Sequence, residues 1–295
     1  MKLLMLVNPL AGRKQGEKVA RKTQAIFNAR GIDVEIGCSR HIRHLSEIAA
    51  MEVNNGWDGI VALGGDGTVF EVINGMMRGN PDLPIPLGII PIGSGNSFVR
   101  DLAIKNRDDA IRKIVAGKTR AVDLGRCDCD DRTLFFINIL GFGFVSDVVQ
   151  RAARYKRWGD FSYLIGVFLE TMRLASCHLD FEIDGQRYQR DTVFVEICNS
   201  TKTGGDMIMA PHAKIDDGLL DVVLLNRISR ARLLAALPRI FRGTHLKLQE
   251  VETFSGRRMR FQPAGNKALT PDGEIAGTTP MAVSVLPGKV RVFDS

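Results

Sequence analysis

The sequence has no run of about 18 uncharged apolar residues, the length a helix needs to cross a bilayer, so a membrane-spanning helix is excluded. It has no internal repeat, no low-complexity stretch and no long linker, and its composition is not that of a disordered chain, a collagen or a coiled coil. Five cysteines are an odd and scattered set. Cys127 and Cys129 form a C-x-C pair with no second pair to complete a zinc site, so the thiols read as reduced, which suits a cytoplasmic protein. The histidines show no metal spacing, and His41 and His44 read as surface or structural groups. Neither G-x-x-x-x-G-K-[ST] nor a G-x-G-x-x-G after the first strand occurs, which excludes a P-loop kinase and a dinucleotide fingerprint. What is present is an ordinary globular composition over 295 residues, 45% hydrophobic and 25% charged, enough for one large or two ordinary domains. Forty basic against 33 acidic residues leave a net charge of +7, which favours an anionic partner without choosing among nucleotide phosphate, nucleic acid and acidic lipid.

The first 120 or so residues alternate strand and helix signals. Residues 2–8, 33–38, 59–63 and 86–92 are apolar runs of the kind a strand buried on both faces needs. The first of these, in MKLLMLVNPLAG, reads as a buried strand rather than a signal peptide because it is short and breaks at Asn8-Pro9. Helical stretches intervene at 17–29, where Val19, Thr23, Ile26 and Phe27 share a face, at 45–53 and at 69–78. This order predicts an α/β domain with a mostly parallel sheet and helices on both faces. Beyond about 120 the strand signals crowd together, at 121–128, 134–141, 177–184, 191–198, 218–225, 246–254, 257–262 and 281–293, interrupted by helical stretches near 144–174 and 229–242. That predicts a second, mostly antiparallel β-sandwich domain. The expected division is 1–121 for the α/β domain and 122–283 for the β-rich domain.

Chemistry concentrates where strands end. Gly64-Gly65-Asp66-Gly67-Thr68 closes an apolar strand and opens a helix, the place where open parallel sheets bind ligands. Glycines there let backbone amides approach a phosphate at a helix N-terminus. Thr68 reads as an N-cap or a phosphate donor, and Asp66 as either a turn carboxylate or a ligand, direct or through water, of Mg²⁺ beside the phosphates. Gly93-Ser94-Gly95-Asn96 ends the next strand, and Asn8-Pro9-Leu10-Ala11-Gly12, followed by Arg13 and Lys14, ends the first. In the second half, Thr270-Pro271-Asp272-Gly273-Glu274 is either an exposed Asp-Gly hairpin turn or a general base for an acceptor hydroxyl. Lys214-Ile215-Asp216-Asp217-Gly218-Leu219 is either a turn or a carboxylate-and-carbonyl cation site.

Taken in order, N-P-x-A-G at 8–12, G-G-D-G-T at 64–68, G-S-G-N at 93–96, D-D-G-L-L-D at 216–221 and D-G-E at 272–274 resemble the diacylglycerol-kinase catalytic family, which includes sphingosine kinases, across essentially the whole chain. The resemblance implies an NAD-kinase-like first domain, 1–121, that binds nucleotide, a lipid-substrate domain over 122–283 with a cleft between the two, and an ATP-dependent lipid kinase that moves the γ-phosphate to a lipid hydroxyl, with Mg²⁺. By that analogy Asn8, Pro9, Leu10, Ala11, Gly12, Ser39, Gly64, Gly65, Asp66, Gly67, Thr68, Val69, Phe70 and Ser94 bind nucleotide. Glu274, with Asp272 beside it and Asp66 at the phosphates, carries catalysis, and Asp217 with the carbonyls of Lys214 and Leu219 holds a structural Mg²⁺. The family's last strand returns to the first domain, here at about 284–295. Two departures stand out: Ser97 replaces the aspartate usual in bacterial diacylglycerol kinases, and Arg43-His44-Leu45 replaces G-H-A. The expected partners are ATP and a lipid substrate at a membrane surface, and no nucleic acid, because no aromatic-basic recognition motif occurs. A homodimer is left open. The expected location is cytoplasmic with peripheral membrane contact. For that contact the candidates are 151–158 (RAARYKRW) with the apolar stretch after it and the arginine-rich 227–242, each of which also reads as an ordinary amphipathic helix. Ser97 keeps open a nucleotide-binding regulator without kinase activity, and a soluble NAD-kinase-like enzyme is the other alternative.

Overall fold

The computed structural model describes residues 1–83, 85–93, 95–130, 132–154 and 161–294. The chain forms two compact units, Met1–Leu124 together with the chain from Leu286 on, and Gly125–Val285.

The first unit runs β1 (Lys2–Val7), α1 (Ala11–Lys14), α2 (Gly16–Asn28), β2 (Asp33–Cys38), α3 (His44–Glu52), β3 (Gly59–Gly64), α4 (Asp66–Gly79), β4 (Leu87–Pro91), α5 (Phe98–Asp101) and α6 (Arg107–Ala116). Its strands are parallel in the order β4-β3-β1-β2, with Met5 beside Ile36 on one side and Val61 on the other, and Ala62 beside Ile89. β3 is buried at all six positions, which is why its sequence is a continuous apolar run rather than an alternating one. α2 turns Ala20, Thr23 and Phe27 inward, and α4 turns Val69, Val72, Ile73, Met76 and Met77 inward. The chain's end is fastened here. Val292 pairs with Leu87 in parallel, and the Asp294 carboxylate takes the buried Lys113 ammonium at 2.5 Å.

The second unit adds β5 (Thr119–Cys129), which enters from the first, then β6 (Arg132–Phe136), β7 (Ile139–Gly143), α7 (Phe144–Arg154), α8 (Phe161–Met172), β8 (Cys177–Ile183), β9 (Gln186–Cys198), β10 (Lys202–Thr203), β11 (Met207–Ile208), β12 (Leu220–Asn226), α9 (Arg230–Ile240), β13 (Val251–Gly256), β14 (Arg258–Pro263), β15 (Leu269–Pro271) and β16 (Met281–Phe293). Its pairings are antiparallel. β9 is the hub, bonded to β12, β8 and β7, and β15 lies on β7. One apolar cluster holds Phe181 and Phe261 stacked at 5.9 Å, with Phe142, Val195 and Ile197. Another joins Phe194 and Leu225 of the strands to Phe144, Val148, Val167 and Leu233 of the helices.

Three local expectations are corrected. The strand expected over 134–141 is two strands, because the peptides of 137–139 turn their N–H groups to a side chain, as described below. The strand expected over 246–254 begins only at Val251, after a 3₁₀ turn over Thr244–Lys247. Thr68 is not a cap: Gly65 is the N-cap of α4, and Thr68 lies inside the helix, buried against Gly64.

One carboxylate breaks the apolar pattern. Glu196 sits mid-β9, opposite Gly141 of β7 and Val223 of β12, and burial pushes its pKa up to about 8. Gly141 is required there, since a Cβ would come within 2.7 Å of the Glu196 carboxylate. The neutral acid is thus the native form. The stability it confers is complete below the ordinary value of 4.5 and is lost as pH rises through about 8. Glu196→Gln should therefore stabilise the protein by an amount that grows from pH 5 to pH 8, to about 2 kcal/mol at the upper end, short of the full 1.36 kcal/mol per pH unit because burial relaxes, with the melting temperature rising accordingly. Melting curves at pH 5 and pH 8 that shift equally would count against this.

Candidate functional site

In the first unit the carboxyl ends of all four core strands lead into the loops singled out by sequence. After β1, Asn8 turns the chain: its side chain accepts the Leu10 N–H and its carbonyl the Ala11 N–H, each at 3.0 Å. Gly12 then takes φ +59° with its Cα side so close to Ile92 that a Cβ would sit 3.0 Å from the Ile92 carbonyl. After β2, the Ser39 N–H donates to the Val7 carbonyl at 3.0 Å, which holds Ser39 beside the end of β1. After β3 and β4, Gly65 and Gly93 approach backbone to backbone, and a Cβ on Gly93 would lie 2.6 Å from Gly65 Cα. The Ile92 and Gly93 N–H groups both donate to the Gly64 carbonyl, at 3.0 and 3.3 Å, and the Asn96 side chain closes its own loop by accepting from the Gly93 N–H. The loops after β1, β3 and β4 are thus drawn together beside the first turn of α4. The Thr68 N–H of that turn already donates to the Gly65 carbonyl at 3.0 Å, and the helix dipole at this end favours an anion. Val69 is in the core and Phe70 is half-buried, so both shape the helix start from behind. Ser94 lies outside the described residues, as do Tyr155 to Trp158 of the basic-aromatic stretch.

Asp66, the first residue of α4, is the fastening between two of these loops. Its carboxylate accepts the Ser97 N–H at 2.8 Å and the Ser97 hydroxyl at 3.2 Å. Burial raises its pKa, and the bonds from Ser97 and Phe98 and the charge of Arg100 pull the other way. An aspartate at 97 would set two anions against each other here. Serine instead supplies two donors, so the departure at 97 leaves Asp66 better satisfied.

In the second unit, Asp272 is buried rather than exposed, and its carboxylate accepts three successive backbone N–H groups, Ile137 at 3.1 Å, Asn138 at 2.9 Å and Ile139 at 3.1 Å. Asp272 and Gly273 both have positive φ, +50° and +84°, the signs of a type I′ turn, and the Glu274 N–H closes it on the Pro271 carbonyl at 2.9 Å. Glu274 itself is exposed. One carboxylate is thus committed to the backbone and the next is presented at a fixed turn. Asp217 is exposed in the turn before β12, where its carboxylate accepts the Leu219 N–H at 3.1 Å; Lys214 and Leu219 flank it in the same turn. Burial, and then the charge of Asp217, raise the pKa of Asp221. His41, His44 and Glu47 have ligating atoms within 4.8 Å of one another. His44 Nδ1, however, accepts the Arg40 N–H at 3.0 Å, so the group serves as a loop clasp rather than a formed metal centre.

Two family profiles divide the chain. The diacylglycerol kinase catalytic domain matches residues 2–127, and the YegS C-terminal NAD kinase beta sandwich-like domain matches residues 138–294. A curated diacylglycerol kinase of Mycobacterium tuberculosis is 34% identical over 99% of this chain and 94% of its own length. The chain belongs to the diacylglycerol kinase family. It is accordingly a lipid kinase, a phosphotransferase with an alcohol acceptor and ATP as donor. A Bacillus subtilis diacylglycerol kinase is 26% identical over 94% of this chain and 90% of that protein, and sphingosine kinase 1 of Arabidopsis thaliana is 24% identical over 92% of this chain and 66% of that one. A crystal structure of a diacylglycerol kinase from Bacillus anthracis shares the fold, with a TM-score of 0.75 at 21% identity over all of this chain and 97% of that one.

Sequence reasoning passed over the buried polar residues Asn138, Asn199 and Ser200, and Glu196. The available signal was a polar residue inside an apolar run, as in F-F-I-N-I and V-F-V-E-I-C-N-S. If the Gly65–Gly93 approach forms the phosphate site of this lipid kinase, Gly93→Ala should weaken ATP binding at least tenfold with little change in melting temperature of the second unit. Calorimetric titration of ATP checks this, and an unchanged affinity would show that the close approach is dispensable.

Proposed function

We propose that the chain transfers the γ-phosphate of ATP to the hydroxyl of diacylglycerol or a sphingoid base, with the glycine loops and α4 holding the triphosphate and Glu274 accepting the proton. The observation that carries this reading is the convergence of the loops after β1, β3 and β4 on the amino end of α4, held by the Asp66–Ser97 clasp. Asn8 to Gly12, Ser39, Gly64 to Phe70 and Ser94 supply the nucleotide contacts in this reading. The acceptor oxygen gives an electron pair to the γ-phosphorus, the bond to the β–γ bridging oxygen breaks and leaves as ADP, and the acceptor's proton passes to the Glu274 carboxylate. Glu274 is suited to this because it is exposed on a turn whose position Asp272 fixes through three amides. A carboxylate suffices, since phosphoryl transfer asks mainly for positioning and charge stabilisation. Mg²⁺, when bound, would screen charge on the phosphates and stiffen the second unit. Asp217, with the carbonyls of Lys214 and Leu219, offers the hard oxygens it prefers, and the repulsion that Asp217 exerts on Asp221 is what a cation there would relieve. Asp66, whose oxygens already serve Ser97, would reach a nucleotide-bound ion through water.

No described helix is long and apolar enough to cross a membrane, so a lipid substrate has to be met at a surface. Phe168 and Met172 of α8 and Phe241 after α9 are each 58% exposed, and Arg239 and Arg242, close in sequence to Phe241, are exposed as well. Apolar side chains flanked by cations suit peripheral contact with an anionic bilayer.

Labelled ATP incubated with a total lipid extract should yield a labelled phospholipid, and Glu274→Gln should lower turnover about 10²–10⁴-fold with its melting temperature kept. Full activity of that variant would refute the assignment of Glu274. Phe168→Asp with Phe241→Asp should reduce co-sedimentation with phosphatidylglycerol vesicles while sparing turnover of a short-chain, water-soluble diacylglycerol. Unchanged sedimentation would argue against the surface contact.

A further inference from the structure

Beneath the Asp272–Glu274 turn the second unit buries three uncharged polar side chains, Asn138 at 4% exposure and Asn199 and Ser200 at 0%. Burial of amides and hydroxyls is costly unless they are bonded, so such a cluster has to be organised. Its bonds tie the Ile137 and Asn138 peptides and the Asn138 side chain to the close of β9. Asn199 Nδ2 donates to the Ile137 carbonyl at 2.7 Å, the Asn199 N–H donates to the Asn138 carbonyl at 2.9 Å, and the Ser200 hydroxyl donates to the Asn138 side-chain oxygen. On the opposite edge, the N–H groups of Ile137, Asn138 and Ile139 converge on the Asp272 carboxylate. The return contact is the Asp272 N–H to the Ile139 carbonyl at 2.7 Å. The segment that interrupts the expected strand is therefore gripped from both sides. At one end stands the close of β9, at the other the turn that carries Glu274.

We infer that Asn138, Asn199 and Ser200 are positioning residues for phosphoryl transfer, setting the place of the Glu274 carboxylate through the 137–139 peptides and Asp272. This rests on the reading of Glu274 as proton acceptor. A core that needed only apolar filling at the end of β9 would not place three uncharged polar groups there. The arrangement also explains why Asp272 is a buried acid: its role is to translate the position of β9 into the position of the turn. Transfer of a phosphoryl group is sensitive to displacements of about 1 Å in a group that must meet the acceptor oxygen, so a network that shifts the turn acts on turnover more than on binding.

The test uses the full chain with Mg²⁺, ATP and diacylglycerol in mixed micelles. Ser200→Ala, Asn199→Ala and the hydroxyl-retaining Ser200→Thr are each made alone and together with Glu274→Gln, and melting temperatures are recorded alongside. The expected result is a kcat lowered about 10- to 100-fold by Ser200→Ala and Asn199→Ala, as for other supports of reacting groups, with KM for ATP and lipid within about twofold. Ser200→Thr should return most of the loss, and neither alanine variant should lower activity further in the Glu274→Gln background, because both act through the same carboxylate. A Ser200→Ala variant with wild-type kcat, or losses that multiply fully with Glu274→Gln, would overturn the inference while leaving Glu274 as the base. A fully active Glu274→Gln would overturn the base and the inference together. Should Asn199→Ala fail to fold, the Ser200 pair decides alone.

Discussion

A buried peptide N–H has to find an acceptor, and in both halves of this protein the acceptor is an aspartate taken from a family motif. Asp66 receives the end of the loop after β4, at Ser97, and Asp272 receives the three amides between β6 and β7. Neither side chain is primarily a surface charge. Each converts a sequence-distant segment into a neighbour at a fixed distance, across 31 residues in the first case and 133 to 135 in the second. In the function proposed above, proton transfer and phosphate binding fall to groups placed by these acids, the exposed Glu274 and the backbone around α4. The division resembles the general pattern in which reactive groups sit on loops that a rigid framework positions.

The glycines complete the same logic from the opposite direction. At Gly65 and Gly93 the missing side chains let two loops touch, and at Gly141 the missing side chain makes room for Glu196. The first absence brings two strand-end loops together, and the second tolerates a carboxyl group that the fold keeps neutral. Charge is accepted where backbone amides and a helix end can answer it, and suppressed where only apolar side chains surround it.

The parallel pairing of β1 to β4, the antiparallel character of the later strands and the strand-end motifs were legible because continuous apolar runs and glycine clusters are local signals. The five-part motif order, spread over the whole chain, made the family legible as well. Thr68 was misread as a cap because the pattern does not say where a helix begins, and backbone conformation at Gly65 settles that. The 134–141 region reads as one apolar strand, and only the long-range claim of Asp272 on its amides splits it. Asn138, Asn199 and Ser200 were silent for the same reason: each is an isolated polar residue whose meaning depends on a partner about 60 positions away. Ser97 was visible as a departure, but its effect could be judged only once its hydroxyl was seen on Asp66.

β16 pairs with β14 through Met281–Ser284 in the second unit and, further along the same strand, brings Val292 alongside Leu87 in the first. The first unit therefore lacks the strand beside β4 until Gly125–Val285 has been synthesised. Its β4 edge waits unsheltered through that interval, so the unit begun first is completed only after the one inserted into it.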